Sequence, residues 1–219
     1  MVGLRAQAGA LLAEVTTATS ERQDEIIRKL KTLDRSAFDV EAERALGQLL
    51  AVEALRNQED YILLAGFLQR ADLLELVPEE DRSVRAVRRS INLAKVRAGN
   101  EERRDNLLKN LRRLDVNDEF VYEVVPLLVY TRDREIFRFL WELVITESKT
   151  CTPPDAEMSG RIDCAYRIVE YLGTAVAGFP VKIDEDHNLI TPDYAAALAE
   201  IRRWYAAHVK DYEILTNTY

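Results

Sequence analysis

The stretch that decides the fold occurs twice, as ERRDNLLKNLRRLD at residues 102–115 and as ERQDEIIRKLKTLD at residues 21–34. Aligned without gaps, the two copies share six identical positions and begin 81 residues apart. That distance is about two units of the helical arrays in which a pair of helices repeats every ~40 residues. The apolar positions fall at helical spacing, so each copy predicts one amphipathic helix. The repeat therefore indicates a helical architecture and carries no chemistry of its own.

The composition favours the same fold class. The 219 residues include only 8 glycines and 6 prolines, which is few for a chain built on many tight turns. Hydrophobic residues make up 47% of the sequence, enough for a sizeable core. We expect an all-α fold, an α-solenoid of about five antiparallel helix pairs. One small β-hairpin near residues 180–190 is the expected exception.

The chain is expected to form a single helical-repeat domain over residues 1–219. Residues 1–147 hold the more regular helix pairs, and residues 148–219 form an irregular remainder. The change coincides with the interruption ESKTCTPPD at residues 147–155, where two prolines end any preceding helix. A long helix is predicted from about Ala156 to Ala177, with Asp155 as its cap.

Three short sequence segments resemble HEAT-type helical repeats, over roughly residues 20–147. In that family a first helix carries a proline before paired leucines, a turn carries Asp, and the second helix opens with Val-Arg. The segments here are VPLL at residues 125–128 followed by Asp133, DRSVRAVR at residues 81–88, and the helix end and turn at residues 49–60. The resemblance implies a HEAT/armadillo-like scaffold with one concave face, and it implies no particular reaction.

The net charge of −8 argues against a nucleic-acid partner, because binding a duplex usually needs a basic face. The basic clusters at residues 82–89 and 103–113 are flanked by acidic residues and are interpreted as solvated helix faces. An acidic surface instead favours a partner with a basic patch. The leading hypothesis is a non-enzymatic interaction or scaffold module that binds a protein or peptide on the concave face.

Two alternatives stay open. One is an enzyme on a HEAT-like scaffold, for example one similar to DNA glycosylases, although the negative charge speaks against the basic channel that such enzymes need. The other is a structural fragment of a longer chain.

We predict no catalytic residues, no cofactor and no metal: His187 and His208 lie in different elements, and no nucleotide or protease motif is present. The calcium-like opening at residues 184–188 has Leu189 where the turn glycine should stand.

The residues predicted to contact a partner are aromatic and basic: Tyr130, Arg202, Arg203, Trp204 and Tyr205. For Trp204 and Tyr205 the alternative is that they close the end of the helical stack, because terminal repeats need special capping. More generally, a specific function is expected where the repeat breaks down, between Lys149 and Thr191 and on the last helix.

The two cysteines, Cys151 and Cys164, are too far apart in sequence for a zinc pair. Either they form a disulfide, as in an exported protein, or Cys164 is a buried small hydrophobe on the apolar stripe of its helix. No window approaches the length of a membrane span. The compartment is open: it is cytoplasmic by default, and exported or periplasmic if a signal peptide has been removed.

Overall fold

The computed structural model describes residues 2–147, 149–153, 160–184 and 186–219. Eleven α-helices account for most of these described residues, which confirms the all-α class. The helices are α1 (Val2–Glu14), α2 (Ser20–Lys31), α3 (Val40–Leu50), α4 (Gln58–Phe67), α5 (Glu79–Ser83), α6 (Arg85–Arg97), α7 (Glu101–Leu111), α8 (Val125–Thr131), α9 (Arg134–Ile145), α10 (Ala165–Gly173) and α11 (Tyr194–His208). Their stacking into an α-solenoid stays a prediction.

The contacts within the chain divide it into two compact units. Unit 1 comprises the chain up to Arg103 together with Asn217–Tyr219, and unit 2 comprises Arg104–Thr216. The division thus falls near Arg103, whereas the sequence placed its change in regularity after residue 147. The single helical-repeat domain over residues 1–219 stays a prediction.

Helix α4 is the central helix of unit 1. Residues 61–67 are all buried, as expected of a helix that is apolar on every side. It packs mainly against α6, while α1 packs against α3. The largest fully buried side chains of this core are Leu12, Ile26, Leu30, Leu46, Leu50, Tyr61, Ile62, Leu64, Phe67 and Leu74.

The segment Asn217–Tyr219 completes unit 1. The backbone N–H of Arg35 donates to the carbonyl oxygen of Asn217 at 3.2 Å. The buried Arg97 donates from Nη2 to the carbonyl oxygen of Thr218 at 2.8 Å. The ring of Tyr219 meets the ring of Phe67 edge-on, with centroids 5.8 Å apart. These contacts hold the segment against the core of unit 1.

The two copies of the duplicated stretch form α2 and α7. Each helix is preceded by a side chain that accepts a hydrogen bond from a first-turn N–H: Thr19 from Arg22, and Asn100 from Arg103. Their burial differs, because the stripe of α2 is covered whereas Leu114, at the end of the second copy, is 51% exposed. The shared pattern therefore specifies a helix without specifying what covers it.

The long helix predicted over residues 156–177 is wrong in its extent. Its predicted start and the cap Asp155 lie outside the described residues, and α10 covers only Ala165–Gly173. Residues 160–164 are not helical, because Ile162 and Cys151 form an antiparallel bridge with N···O distances of 2.9 and 3.3 Å.

The hairpin predicted near residues 180–190 is present as one antiparallel bridge between Ile183 and Leu189. The carboxylate of Asp184 accepts hydrogen bonds from the backbone N–H groups of Asp186 and Asn188, at 2.9 and 2.8 Å, and so closes the turn. The loop lies tightly against α10 at Gly173, where a Cβ atom would be 2.7 Å from Cγ1 of Ile183. The absence of a side chain at Gly173 is therefore what permits this packing.

Candidate interaction surface

The structure places the predicted aromatic residues partly in the core of unit 2. Tyr205 is buried and stacks on the fully buried Trp141, with ring centroids 4.3 Å apart and planes 10° from parallel. Tyr130 is also buried. Trp204 is half-buried and stacks on His208 at 4.8 Å. Neither Tyr130 nor Tyr205 therefore presents its ring to a partner, whereas Trp204 keeps part of its surface accessible.

Arg202 is engaged within unit 2. Its Nε donates to the carbonyl oxygen of Val144 at 2.8 Å, and its Nη2 donates to Asp163 at 2.7 Å. The Asp163 side chain is only 8% exposed, so this is a well-covered ion pair. Arg202 thereby ties α11 to the end of α9 and to the residues just before α10. Arg203 is exposed.

Cys151 and Cys164 are joined by a disulfide, one of the two alternatives that the sequence left open. Both residues are buried, and Cys164 directly precedes α10 rather than lying on its stripe. Nearby, Asp118 accepts hydrogen bonds from the backbone N–H and the hydroxyl of Thr152, at 2.9 and 2.6 Å. The disulfide and these bonds fix the start of α10.

Four tyrosines lie on α10 or near it, and we call them the tyrosine patch: Tyr122, Tyr166, Tyr171 and Tyr194. Tyr122 and Tyr194 are 51% and 47% exposed, which is high for aromatic side chains. Tyr166 meets Tyr194 edge-on, with centroids 6.3 Å apart. The charge that Tyr122 or Tyr194 would carry when ionised raises the pKa of Arg167, so both tyrosines lie in the neighbourhood of its guanidinium. The patch thus brings together residues from before α8, from α10 and from the start of α11.

An ion pair lies among these rings. Nη1 of Arg167 donates to Oε2 of Glu170 at 3.1 Å, and the two side chains are 19% and 7% exposed. Burial raises the pKa of Glu170, because desolvation disfavours its charged form, and the hydrogen bond from Arg167 only partly offsets this effect. Removing either partner would leave a buried charge uncompensated. The pair therefore adds two fixed, hydrogen-bonded charged groups to α10, the helix that carries Tyr166 and Tyr171.

Sequence reasoning missed the tyrosine patch. The region in which it expected a specific function does contain Tyr166, Arg167, Glu170 and Tyr171, and Tyr194 lies on the last helix. Tyr122, however, comes from the part of the chain assigned to regular repeats. No local spacing links it to α10, so only the folded chain shows the group.

No metal-binding cluster of three or more His, Cys, Asp or Glu residues occurs in the described part of the chain. In the calcium-like stretch, the carboxylate of Asp184 is used by the turn itself. Across the described ranges no helix is both long enough and apolar enough to cross a membrane.

No protein-family model, no curated protein and no solved structure matches this chain. The resemblance to HEAT-type repeats accordingly stays a prediction. The function has to be inferred from the residues of the chain itself.

Proposed function

We propose that this protein is a non-enzymatic interaction module that binds a protein or peptide through the tyrosine patch. The observation that carries the proposal is the exposure of Tyr122 and Tyr194, together with the edge-on contact of Tyr194 with Tyr166 of α10. Tyrosine and arginine are enriched among the residues that dominate binding energy at protein interfaces. A tyrosine ring supplies a large contact area while losing little conformational entropy, and its hydroxyl supplies a hydrogen bond at the rim.

The patch is built on a well-anchored element. The disulfide fixes the residue before α10, and the ion pair between Arg202 and Asp163 fixes the same turn from α11. A surface that is already rigid loses less entropy on association, so more of the contact energy appears as affinity. This anchoring supports a role in binding for side chains carried by α10.

The partner is expected to present basic groups next to its contact residues. The net charge of the chain is −8, with 38 acidic against 30 basic residues. Complementary charge around a contact raises the association rate and disfavours wrong partners. The alternatives of an enzyme similar to DNA glycosylases and of a structural fragment stay predictions.

The test is selection of peptides from a displayed random library on the wild-type protein. Selected peptides are then measured against two double variants, Tyr122→Ser with Tyr194→Ser, and Leu114→Ser with Ile145→Ser. Leu114 and Ile145 are the matched control, because they are exposed apolar residues of unit 2 with similar exposed fractions, 51% and 54%.

We expect selected peptides to bind the control variant like the wild type and to bind the tyrosine variant at least tenfold more weakly. A tenfold loss corresponds to about 1.4 kcal/mol, a moderate effect for residues at the centre of an interface. Equal affinity for both variants would contradict the proposal, and so would a selection that enriches no sequence.

A further inference from the structure

Unit 1 contains a surface cavity of about 440 Å³ at the start of α4, which we call the acidic cavity. Three carboxylates line it, those of Glu59, Asp60 and Asp81. Its apolar lining comes from Leu55, Val84 and Val87. Asp60 is already paired, since Nζ of Lys31 donates to it at 2.7 Å. The electrostatic character of the cavity therefore depends on Glu59 and Asp81.

Asp81 is only 9% exposed, and only one of its two carboxylate oxygens accepts hydrogen bonds. Both of its donors, the backbone N–H of Ala54 at 3.1 Å and Nε2 of Gln58 at 2.8 Å, bond to Oδ2. Within the described part of the chain, Oδ1 accepts no hydrogen bond and no lysine or arginine pairs with Asp81. Buried carboxylates are normally compensated by a cation. Here two neutral donors stabilise Oδ2 of Asp81. Oδ1 stays available to a ligand, because Asp81 lines the cavity.

The shape and lining of the cavity favour an organic cation over a metal ion. A metal needs several oxygen ligands at short and similar distances, and no cluster of acidic residues among those described gathers in that way. Lysine and arginine side chains instead combine a charged head with an apolar stem that packs along hydrophobic surface. A lining that combines the carboxylates of Glu59 and Asp81 with Leu55, Val84 and Val87 suits such a side chain.

We propose that the acidic cavity binds the charged end of an arginine or lysine side chain from a partner protein. The head group pairs with Oδ1 of Asp81 and with Glu59, and the methylene stem packs on the apolar lining. The proposal goes beyond the tyrosine patch and does not depend on it, because the acidic cavity lies wholly within unit 1 and the patch lies within unit 2. It also assigns a place to the basic partner groups that the charge of the chain favours.

The experiment titrates ¹⁵N-labelled protein with Nα-acetyl-arginine amide and follows the resonances of the Gln58 side-chain amide and the Ala54 backbone N–H. Both groups donate to Asp81, so they report directly on its carboxylate. Nα-acetyl-citrulline amide is the matched neutral ligand, because it has nearly the same shape without the charge. We expect saturable shifts with the arginine ligand and none with the citrulline ligand.

Asp81→Asn should weaken arginine binding at least tenfold, because the amide keeps an oxygen that can accept from Ala54 and Gln58 but loses the charge. Glu59→Gln should weaken it several-fold, and it serves as the second variant should Asp81→Asn unfold. Glu21→Gln, which removes an exposed carboxylate of α2, is the control and should change nothing.

The proposal is overturned if the citrulline ligand causes the same shifts, if arginine leaves both resonances unmoved, or if neither cavity variant weakens binding. Calcium chloride that shifts the same resonances and displaces arginine would show a metal site instead. Spermidine that binds while a Gly-Gly-Arg-Gly-Gly peptide does not would show a site for free polyamines and would overturn the role of a partner protein.

Discussion

Replacing Cys151 and Cys164 by alanine should destabilise unit 2 by about 3 kcal/mol. The disulfide joins residues 13 positions apart, and the chain-entropy treatment assigns about 3 kcal/mol to a closed loop of that size. The physical reason is that the cross-link removes conformations from the unfolded chain. Alanine is the suitable replacement, because both positions are buried and a serine hydroxyl would add an uncompensated polar group.

The assay is urea unfolding followed by tryptophan fluorescence. The chain has two tryptophans, Trp141 and Trp204, and both lie in unit 2, so the signal reports on the unit that contains the disulfide. With a urea dependence of about 2 kcal/mol per molar, the transition midpoint should fall by about 1.5 M. Wild-type protein with dithiothreitol is the control: it keeps both sulfur atoms, so agreement with the double variant assigns the loss to the cross-link.

Two results would refute this reasoning. A change in the free energy of unfolding below about 1 kcal/mol would show that the loop is restrained by other contacts, such as those of Asp118 with Thr152. Two titratable thiols in the denatured, unreduced protein would show that the bond does not form. Because α10 begins directly after Cys164, the double variant should also weaken peptide binding at the tyrosine patch.

Three further predictions concern tightly packed or buried positions. Gly173→Ala should destabilise unit 2 by about 1–2 kcal/mol, because the new Cβ would lie 2.7 Å from Cγ1 of Ile183, and an unchanged fluorescence midpoint in urea would contradict this. Tyr61→Phe should leave the free energy of unfolding unchanged or raise it by up to about 1 kcal/mol, because the buried Tyr61 hydroxyl has no hydrogen-bond partner among the described residues. Thermal unfolding followed by circular dichroism measures this change, and a clearly lower stability of the variant would contradict the prediction. Burial raises the pKa of Tyr61 and of Tyr212 to about 12, because desolvation disfavours the phenolate. The ionisation of these two groups therefore leaves the free energy of unfolding unchanged below pH 10 and lowers it as the pH rises through about 12. Phenolate absorbance measured beside circular dichroism should therefore show a fraction of tyrosines that ionises late, and ionisation of all tyrosines near pH 10 would refute the prediction.

Elements that are determined by local interactions can be predicted from the sequence. Helix α9 begins where Asp133 accepts hydrogen bonds from the N–H groups of Glu135 and Ile136, at 2.9 and 3.1 Å, and such a cap lies within four residues of its partners. The buried position of helix α4 likewise follows from its own residues, because they leave no polar face. Both signals are contained in a short window of sequence.

The features that the sequence did not predict depend on contacts between distant residues. The extended pairing of Cys151 with Ile162 ends the helical pattern before α10, and nothing in the pattern of residues 160–164 shows that partner. The tyrosine patch likewise requires Tyr122 and Tyr194, which are distant in sequence, to lie in the neighbourhood of Arg167. Tyr205 was predicted as a contact residue from its neighbours, but its stacking on Trp141 buries it.

The two proposed sites share one physical property, which is a charged group that its own unit largely covers. Arg167 is four-fifths covered and bonds to one carboxylate, whose own pKa burial raises. Asp81 is more deeply covered and has one oxygen left without a donor. Burying a charge opposes folding, so a group of this kind adds less to stability than an apolar residue of the same volume would. At Asp81, a cation that bonds to the remaining oxygen recovers part of that cost on binding, and this is the reason for assigning function to the acidic cavity. At the tyrosine patch the reason is the exposed ring surface of Tyr122 and Tyr194.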